Sequence, residues 1–581
     1  MPFDRREFLQ WSAAGAGALA LPGVGRAADE HGGRPPNVIV IITDDQGYGD
    51  LACHGNPVIS TPHMDNLYNE SARLTDFHVS PTCSPARAAL MTGRHKIRTG
   101  VWHTIMGRSL LRRDEVTMAD MFRLSGYQTG IFGKWHLGDN YPFRPQDRGF
   151  EEVFIHGGGG VGQTPDYWGN DYFDDTYFHN GEWKKQDGYC TDVWFDGALR
   201  FIEANRDRPF FAYVTTNAPH GPYRVPDSYR EMYADADISD KAARFYGMIT
   251  NIDDNLGRLR KRLQELQIEQ DTILVFLTDN GSAVPHFNAG MRGRKGSMYE
   301  GGHRVPCFIR WPGRIDGGYD VDRLTAHYDL LPTLADICGL QRPGGLRWNG
   351  RSLRPILRNP DNQWRDRKLV VDSQRVEKPR KWRRCAVMTD RWRLVNGKEL
   401  YDIEQDPGQQ NDVAESHPEV VETLRRDYNR WWEDVSDRFD EYCRIVLGSA
   451  NENPARLTCM DWHEPESGVP WNQGYIRNGA DSNGFWAVYV LHDGQYRFEL
   501  RRWPREADIP INEAPDNGKS INAQEARLQI GSVDRTKPVP EGAKGVSFDV
   551  QLEAGESRLK TWLKGPDGSR GAYYVYVRRV S

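Results

Sequence analysis

The chain lacks several patterns that mark common classes of protein. Its 581 residues include eight cysteines but no Cys-x-x-Cys pair, so their spacing does not indicate a zinc site. No basic tract interrupts the mixed charges, and the formal net charge is only −6, which argues against nucleic acid as a partner. Beyond the N-terminal region, no apolar run is long enough to span a membrane. The length predicts a globular protein of two or three domains.

Familiar hydrolase motifs are missing as well. The chain contains no Gly-x-Ser-x-Gly, His-Glu-x-x-His or Walker sequence, which excludes the serine hydrolases, zinc proteases and nucleotide hydrolases that carry them. His156-Gly157-Gly158-Gly159 is similar to a lipase oxyanion loop, but no serine motif accompanies it. We interpret it as a flexible loop near the mouth of a site.

The N-terminus has the pattern of an export signal. Arg5-Arg6 is followed by an Ala/Gly-rich apolar run and by Gly25-Arg26-Ala27, which offers small residues for cleavage. We therefore predict a twin-arginine signal peptide over residues 1–28, export by the twin-arginine machinery, and a periplasmic or secreted protein. No cysteine lies near the cleavage position, which argues against a lipid-anchored form.

The first half of the remaining chain has the pattern of an α/β domain. Apolar, β-branched runs at 37–42, 210–214 and 272–277 are typical of buried parallel strands. A helical stripe precedes the last run, formed by Ile252, Leu256, Leu259, Leu263 and Leu266. Strands that alternate with helices predict a mostly parallel sheet flanked by helices, over about residues 36–345.

The pattern changes twice in the second half. Short strand-like pieces and a terminal helix predict a smaller antiparallel α+β subdomain over 346–450. Alternating apolar residues then predict a β-sandwich-like accessory domain over 451–581. Within it, 486–491 and 496–500, joined by His492-Asp493-Gly494, are predicted to form a hairpin.

Cys83 stands at the start of a predicted helix. Pro85 suits the first turn of a helix, and the alanines up to Thr92 favour it. Cys83 would therefore lie at the helix N-terminus, where the dipole favours negative charge, and Arg87 about one turn away. A small buried cysteine is the alternative interpretation of this short pattern.

Two polar pairs directly follow predicted strands. Asp44-Asp45 comes after the first strand and Asp279-Asn280 after a later one. In open α/β sheets ligands bind beyond the carboxyl ends of strands, and oxygen ligands suit Ca²⁺ or Mg²⁺. Turn and cap carboxylates are the alternative for either pair alone.

Four cationic or imidazole side chains complete the predicted site. Lys134 and His136 follow the pattern Gly126 to Gly133, where a strand would direct both to one side. His220 follows the strand at 210–214, and Lys295 lies in a Gly-rich loop. Taken singly, each is as consistent with an ordinary surface or buried polar residue. Together they would surround one anion.

These motifs closely resemble those of the type I sulfatase family, within the alkaline phosphatase superfamily. The resemblance covers about residues 36–445 and includes Cys83 with Pro85 and Arg87, and the Leu400-Tyr401-Asp402 stretch. It implies that a separate maturation enzyme oxidises Cys83 to formylglycine, a hydrated aldehyde. It also implies one Ca²⁺, bound by Asp44, Asp45, Asp279, Asn280 and an oxygen on residue 83.

The resemblance further implies how the remaining residues act. Lys134 and Lys295 would bind sulfate oxygens, and Arg87 would orient residue 83. His136 would take a proton from residue 83, and His220 would protonate the leaving alcohol. The expected activity is hydrolysis of a sulfate ester, on a sulfated carbohydrate or an aryl sulfate.

Two alternatives stay open at this point. The first is a phosphonate or phosphate ester hydrolase of the same superfamily; the residue after Asp279 is asparagine, where the two-metal phosphatases have histidine, and this favours one metal and sulfate. The second is a protein that binds sulfated glycans without catalysis. Tyr167, Trp168 and Trp183 are candidates for stacking on sugar rings.

Overall fold

The computed structural model describes residues 34–580, and the predicted signal peptide lies outside them. Five parallel strands form the centre of its largest sheet, as the apolar runs predict. In spatial order, the strands of this sheet are Tyr319–Val321, Ala72–Leu74, Cys307–Arg310, Thr272–Thr278, Asn37–Thr43, Phe210–Thr215, Gln128–Gly133, Glu152–Ile155, Thr176–His179 and Glu182–Lys185. The strands from Thr272–Thr278 to Glu152–Ile155 run parallel, and antiparallel strands flank them.

Helices cover both faces of this sheet because alternate strand residues point to opposite sides. Val38 and Val40 belong to one hydrophobic core, whereas Ile39 and Ile41 belong to the other. The helices of the described chain are Pro62–Asn69, Cys83–Thr92, Met118–Leu124, Cys190–Asn205, Asp227–Glu231, Asp240–Glu265, Glu300–His303, Leu330–Cys338, Arg354–Arg358, Pro418–Val435 and Gln473–Arg477. Four residues of the predicted apolar stripe, Ile252 to Leu263, are buried on Asp240–Glu265, and the fifth, Leu266, follows the helix end and is half-buried.

The second half of the chain forms antiparallel structure, in agreement with the predicted fold class. Leu369–Asp372, Cys385–Met388, Trp392–Val395 and Glu399–Asp402 form one sheet. Helix Pro418–Val435 packs on it through residues such as Leu424 and Tyr428. The short strands Phe77–His78 and Thr325–Ala326 form a separate two-stranded sheet.

Two sheets that share one core make up the C-terminal β region. The first contains Ile445–Leu447, Phe485–Val490, Gly555–Gly565, Glu525–Ile530, Val533–Pro538 and Gly568–Arg570. The second contains Ala455–Thr458, Tyr574–Arg579, Gly494–Arg501 and Val546–Leu552. The predicted hairpin is wrong, because Phe485–Val490 pairs with Gly555–Gly565 and its neighbour in sequence lies in the other sheet. The exact domain limits stay a prediction.

None of the helices in the described range is both long and apolar enough to cross a bilayer. All eight cysteines lie in that range, and none forms a disulfide.

Candidate active site

The two polar pairs meet at the carboxyl ends of neighbouring strands. Thr43 and Thr278 are in register, so the residues after them come together. The Asp279 amide donates to the Thr43 carbonyl at 3.0 Å, and the Asp45 amide donates to the Asp279 carboxylate at 3.1 Å. Asp45 adopts a left-handed backbone (φ 70°), which turns the chain across the strand end. The site is therefore built on the rigid centre of the sheet.

Cys83 faces these carboxylates. It is the first residue of helix Cys83–Thr92. Its Sγ lies 3.3 Å from Asp44 Oδ1 and 3.8 Å from Asp45 Oδ1. Burial, followed by the charge of Asp44, raises the pKa of the Cys83 thiol well above its usual range. The thiol therefore stays protonated at neutral pH, and in this form it is a poor nucleophile.

Three cations neutralise the three carboxylates. The pairs are Lys134 with Asp44 (2.6 Å) and Arg87 with Asp279 (2.9 and 3.1 Å), both buried, and Lys295 with Asp45 (2.7 Å), which is partly buried. Burial opposes ionisation of Asp45, but Lys295 and His220 outweigh it and lower its pKa. Burial and the charge of Asp44 raise the pKa of Asp279 to about 6, although Arg87 opposes this. Such charges are stable in a protein interior only when paired.

Both predicted histidines have a defined tautomer. His136 Nε2 donates to the Thr104 carbonyl at 2.9 Å, which leaves Nδ1 unprotonated, buried and without a hydrogen-bond partner among the described residues. His220 Nδ1 donates to the Gly221 carbonyl at 2.7 Å, so its Nε2 faces Asp45 at 3.8 Å. Burial lowers the pKa of both imidazoles, that of His220 to about 4, where Lys295 and Lys134 contribute and Asp45 opposes.

The route by which Lys134 and His136 reach the site differs from the prediction. The strand ends at Gly133, whose positive φ of 113° turns the chain, and His136 has a left-handed φ of 60°. The rule that alternate strand residues share a face therefore does not apply to them. Lys134 is held instead by its amide, which donates to the Thr215 carbonyl at 2.7 Å, and its carbonyl accepts from the Thr215 hydroxyl.

The donor set fits a hard divalent cation. Ligand atoms of Asp44, Asp45, Cys83 and Asp279 lie within 4.8 Å of one another. The Asn280 amide nitrogen donates to Asp45 at 3.0 Å, while its Oδ1 is buried and without a hydrogen-bond partner in the described chain. A buried carbonyl oxygen without a partner is costly, and a cation would satisfy it.

Three further residues lie at the site, and two of them, Thr104 and Thr215, belong to no motif of the sequence. Thr104 fixes the tautomer of His136, and the Thr215 hydroxyl lies between Arg87 and the Lys134 carbonyl. Gly159 packs so closely on His136 that an added Cβ would lie 2.2 Å from the ring. No local pattern identifies Thr104 or Thr215, but the glycine run at 157–160 is visible in the sequence.

The site opens to solvent on one side. The side chains of Lys134, Asp44 and Asp279 are fully buried. Those of Lys295 and His220 are 20% and 19% exposed. A substrate would therefore enter between Lys295 and His220.

With this geometry in place, comparison with known proteins identifies the family. The sulfatase family profile matches residues 36–340, more than half of the chain, and the chain belongs to this family. A second profile, described as the C-terminal part of N-sulphoglucosamine sulphohydrolase, matches residues 293–433. The chain is thus a sulfuric ester hydrolase of the alkaline phosphatase superfamily, which confirms the predicted family and enzyme class.

Curated relatives and solved structures agree with this assignment. Human arylsulfatase A is 32% identical over 353 residues, 56% of this chain and 68% of that protein. N-acetylgalactosamine-6-sulfatase from Canis lupus familiaris is 31% identical and covers 61% and 69%. The crystal structure of Ps i-CgsB in complex with k-i-k-neocarrahexaose superposes with a TM-score of 0.65 at 28% identity, and covers 71% of this chain and 95% of that one.

Proposed function

We propose that this sulfatase hydrolyses sulfate esters of carbohydrates with a formylglycine made from Cys83 and one Ca²⁺ held by Asp44, Asp45, Asp279 and Asn280. The observation that carries the proposal is the position of Cys83, at a helix N-terminus and 3.3 Å from Asp44. An unmodified thiol with a raised pKa gives little thiolate there, whereas an oxygen at this position would complete a set of hard ligands.

The modified residue supplies a nucleophilic oxygen, and the cation supplies positive charge for the oxygens of the sulfate. The protein's own groups do the rest. Lys134 and Lys295 bind sulfate oxygens, and Arg87 holds Asp279 in place. His136 Nδ1, free of other partners among the described residues, accepts a proton from residue 83.

His220 is the proposed proton donor to the leaving oxygen. Its Nε2 points toward Asp45, at the open side of the site where the leaving group must lie. Burial and the ammonium groups of Lys295 and Lys134 lower the pKa of His220 to about 4. A bound sulfate ester adds negative charge and raises this pKa, which favours the imidazolium, the form that can donate a proton to the leaving oxygen.

The names of similar proteins support a carbohydrate as substrate. One relative is an N-acetylgalactosamine-6-sulfatase, and one similar structure contains a neocarrahexaose. The aromatic residues predicted to stack on sugars lie partly in packing contacts. Trp168 packs against Trp503, and the rings of Tyr167 and Trp183 are 5.6 Å apart.

The proposal is tested by mass analysis and kinetics on protein coexpressed with a formylglycine-generating enzyme. We expect an aldehyde in the peptide that carries residue 83, and turnover of nitrophenyl sulfate well above that of nitrophenyl phosphonate. Cys83→Ala should lower turnover by roughly 10³-fold or more with the fold intact. Cys53→Ala, at a half-buried cysteine outside the site, serves as the matched control.

Two results would contradict the proposal. A preference for the phosphonate would indicate the related phosphonate hydrolase activity. An unmodified thiol at residue 83 in an active protein would rule out the formylglycine. The export route and the periplasmic or secreted location stay predictions, and detection of the mature protein outside the cytoplasm would test them.

A further inference from the structure

The loop of residues 373–384 is rich in cations that have no anionic partner. Among its ten residues from 375 to 384 there are six cations and one carboxylate. Lys378 pairs with Asp440, and the carboxylate, Glu377, is engaged by Arg108 and His463. In the described chain the other five cations make no ion pair; they are Arg375, Arg380, Lys381, Arg383 and Arg384. The loop therefore carries an excess of positive charge into solvent.

The two ends of this loop lie beside two residues of the active site. Arg384 donates from its guanidinium to the Gly296 carbonyl at 3.0 Å, and Gly296 directly follows Lys295. Arg375 lies 3.5 Å from the Thr104 hydroxyl, and Thr104 holds His136 through its carbonyl. Both arginines are exposed. Arg384 therefore contacts the neighbour of Lys295, and Arg375 contacts the residue that holds His136.

The loop is held in one conformation. Gln374 is fully buried, accepts from the Arg380 amide at 2.8 Å and receives the Arg383 guanidinium on its carbonyl at 2.8 Å. The ends of the loop pair through the Ser373 amide and the Arg384 carbonyl at 2.9 Å. The ring of Trp382 stacks on Tyr428 at 3.9 Å. A preorganised guanidinium loses less entropy when it binds an anion.

Backbone strain is concentrated in the same loop. Arg375, Trp382 and Arg384 all have positive φ, at 40°, 59° and 40°. Each such conformation costs a residue other than glycine about 1–3 kcal/mol, and it persists where the surrounding contacts impose it. At Arg375 and Arg384 this strain sets the direction of a side chain that has no ion-pair partner in the described chain.

We propose that Arg375 and Arg384 bind further anionic groups of the substrate, next to the sulfate that is hydrolysed. The substrate is then a polyanionic glycan, with a second sulfate or a carboxylate on a neighbouring sugar. Guanidinium groups bind both kinds of anion in a two-pronged geometry. This inference rests on the proposed function, because it places the hydrolysed sulfate between Lys295 and His136.

The test compares two substrates on the calcium-loaded enzyme. The first is nitrophenyl sulfate, and the second is a sulfated hexasaccharide of the carrageenan type with several sulfates. For Arg375→Gln and Arg384→Gln, we expect the ratio of kcat/KM for the hexasaccharide to that for nitrophenyl sulfate to fall at least tenfold. Added NaCl should lower this ratio more in the wild type than in the variants, because it screens exposed charges.

Three controls sharpen the comparison. Lys378→Gln removes a cation of the same loop that pairs with Asp440, and the ratio should stay at the wild-type value. Arg384→Lys keeps the charge and should recover part of the loss. Thermal unfolding of each variant establishes that it is folded. On the Cys83→Ala background, calorimetry should show weaker hexasaccharide binding for the two glutamine variants, without any need for turnover.

A second pair of ligands distinguishes the kind of anion. One has two sulfates and no uronic acid, and the other has one sulfate and a uronic acid. Dependence of either on Arg375 and Arg384 supports the proposal and identifies the group. If the folded variants lose nothing on both, or lose equally on nitrophenyl sulfate, the proposal is overturned. A wild type that does not hydrolyse nitrophenyl sulfate contradicts the proposed function instead.

Discussion

At the scale of single residues, the charged groups of the site are paired, but one amide oxygen has no hydrogen-bond partner among the described residues. Three carboxylates face three cations, so the interior is close to neutral without a metal. Asn280 is the exception, because its Oδ1 is buried and has no hydrogen-bond partner in the described part of the chain. A buried oxygen without a hydrogen-bond partner is the clearest structural sign that Asn280 is a metal ligand.

Asn280→Ala should therefore weaken calcium binding by roughly tenfold or more, because it removes one oxygen ligand. The measurement is the calcium affinity by calorimetry, together with the rise of the melting temperature on addition of calcium. Asn478→Ala, at an exposed helix end, is the matched control and should bind calcium like the wild type. An unchanged affinity in Asn280→Ala would mean that Asn280 is not a ligand.

At the scale of secondary-structure elements, one strand end decides where Lys134 lies. The strand Gln128–Gly133 ends at a glycine with φ 113°. An added Cβ at Gly133 would lie 2.0 Å from the Thr215 carbonyl, which is the acceptor of the Lys134 amide. In an alanine variant, neither the strained φ nor the clash with the Thr215 carbonyl could be relieved by moving a side chain, because both involve the backbone.

Gly133→Ala should lower the free energy of unfolding by at least about 3 kcal/mol and also lower kcat. The reason is that the backbone must separate from Thr215 and carry Lys134 away from Asp44. Gly126→Ala is the control, since Gly126 precedes the same strand with φ 85° but has no atom within 4 Å of the added Cβ. It should cost only about 1 kcal/mol and leave kcat near the wild-type value.

The same elements show what local pattern can predict. The apolar runs predicted the central strands, because strands buried on both faces need continuous β-branched residues. The polar pairs at 44–45 and 279–280 were predicted to meet, and they do, because parallel strands end at one edge. His136 shows the limit, since its backbone is left-handed and its ring is held by Thr104 and Gly159, which are distant in sequence.

At the scale of the whole molecule, pairing over long distances escapes such prediction. Phe485–Val490 was correctly expected to be a strand, but its partner is Gly555–Gly565 rather than the next strand. Alternation reveals which face of a strand is buried and not which strand lies beside it. The loop at 373–384 has a visibly basic sequence, yet only the tertiary fold shows that its ends contact Gly296, next to Lys295, and Thr104, which holds His136.

Contacts from the C-terminal β region reach the active site through the glycine-rich loop. The Thr164 amide donates to the Trp471 carbonyl at 3.1 Å, and the Tyr574 hydroxyl donates to the Thr164 carbonyl at 3.0 Å. Gly159, five residues before Thr164, packs on the ring of His136. The β region therefore supports the loop that packs on His136, the proposed proton acceptor.

The side chain of Gln473 makes three hydrogen bonds to the segment 163–169, so its substitution tests whether the β region supports the loop. Its side chain donates to the carbonyls of Gln163 (3.3 Å) and Tyr167 (3.0 Å) and accepts from the Gly169 amide (3.0 Å), while it is 5% exposed. Gln473→Ala removes all three hydrogen bonds: the Gln163 and Tyr167 carbonyls keep only the Asp166 and Asn170 amides as donors, and the Gly169 amide loses its acceptor. It should cost about 1–3 kcal/mol and loosen the loop.

Hydrogen exchange measures this directly, and amides at 156–170 should exchange faster in Gln473→Ala than in the wild type. We also expect kcat to fall more than KM rises, because the loop positions His136 rather than binding the sulfate. Arg497→Ala removes an exposed pair with Asp549 in the same β region and should change exchange and kcat little. If Gln473→Ala exchanged like the wild type at 156–170, the β region would be an independent appendage and not a support of the site.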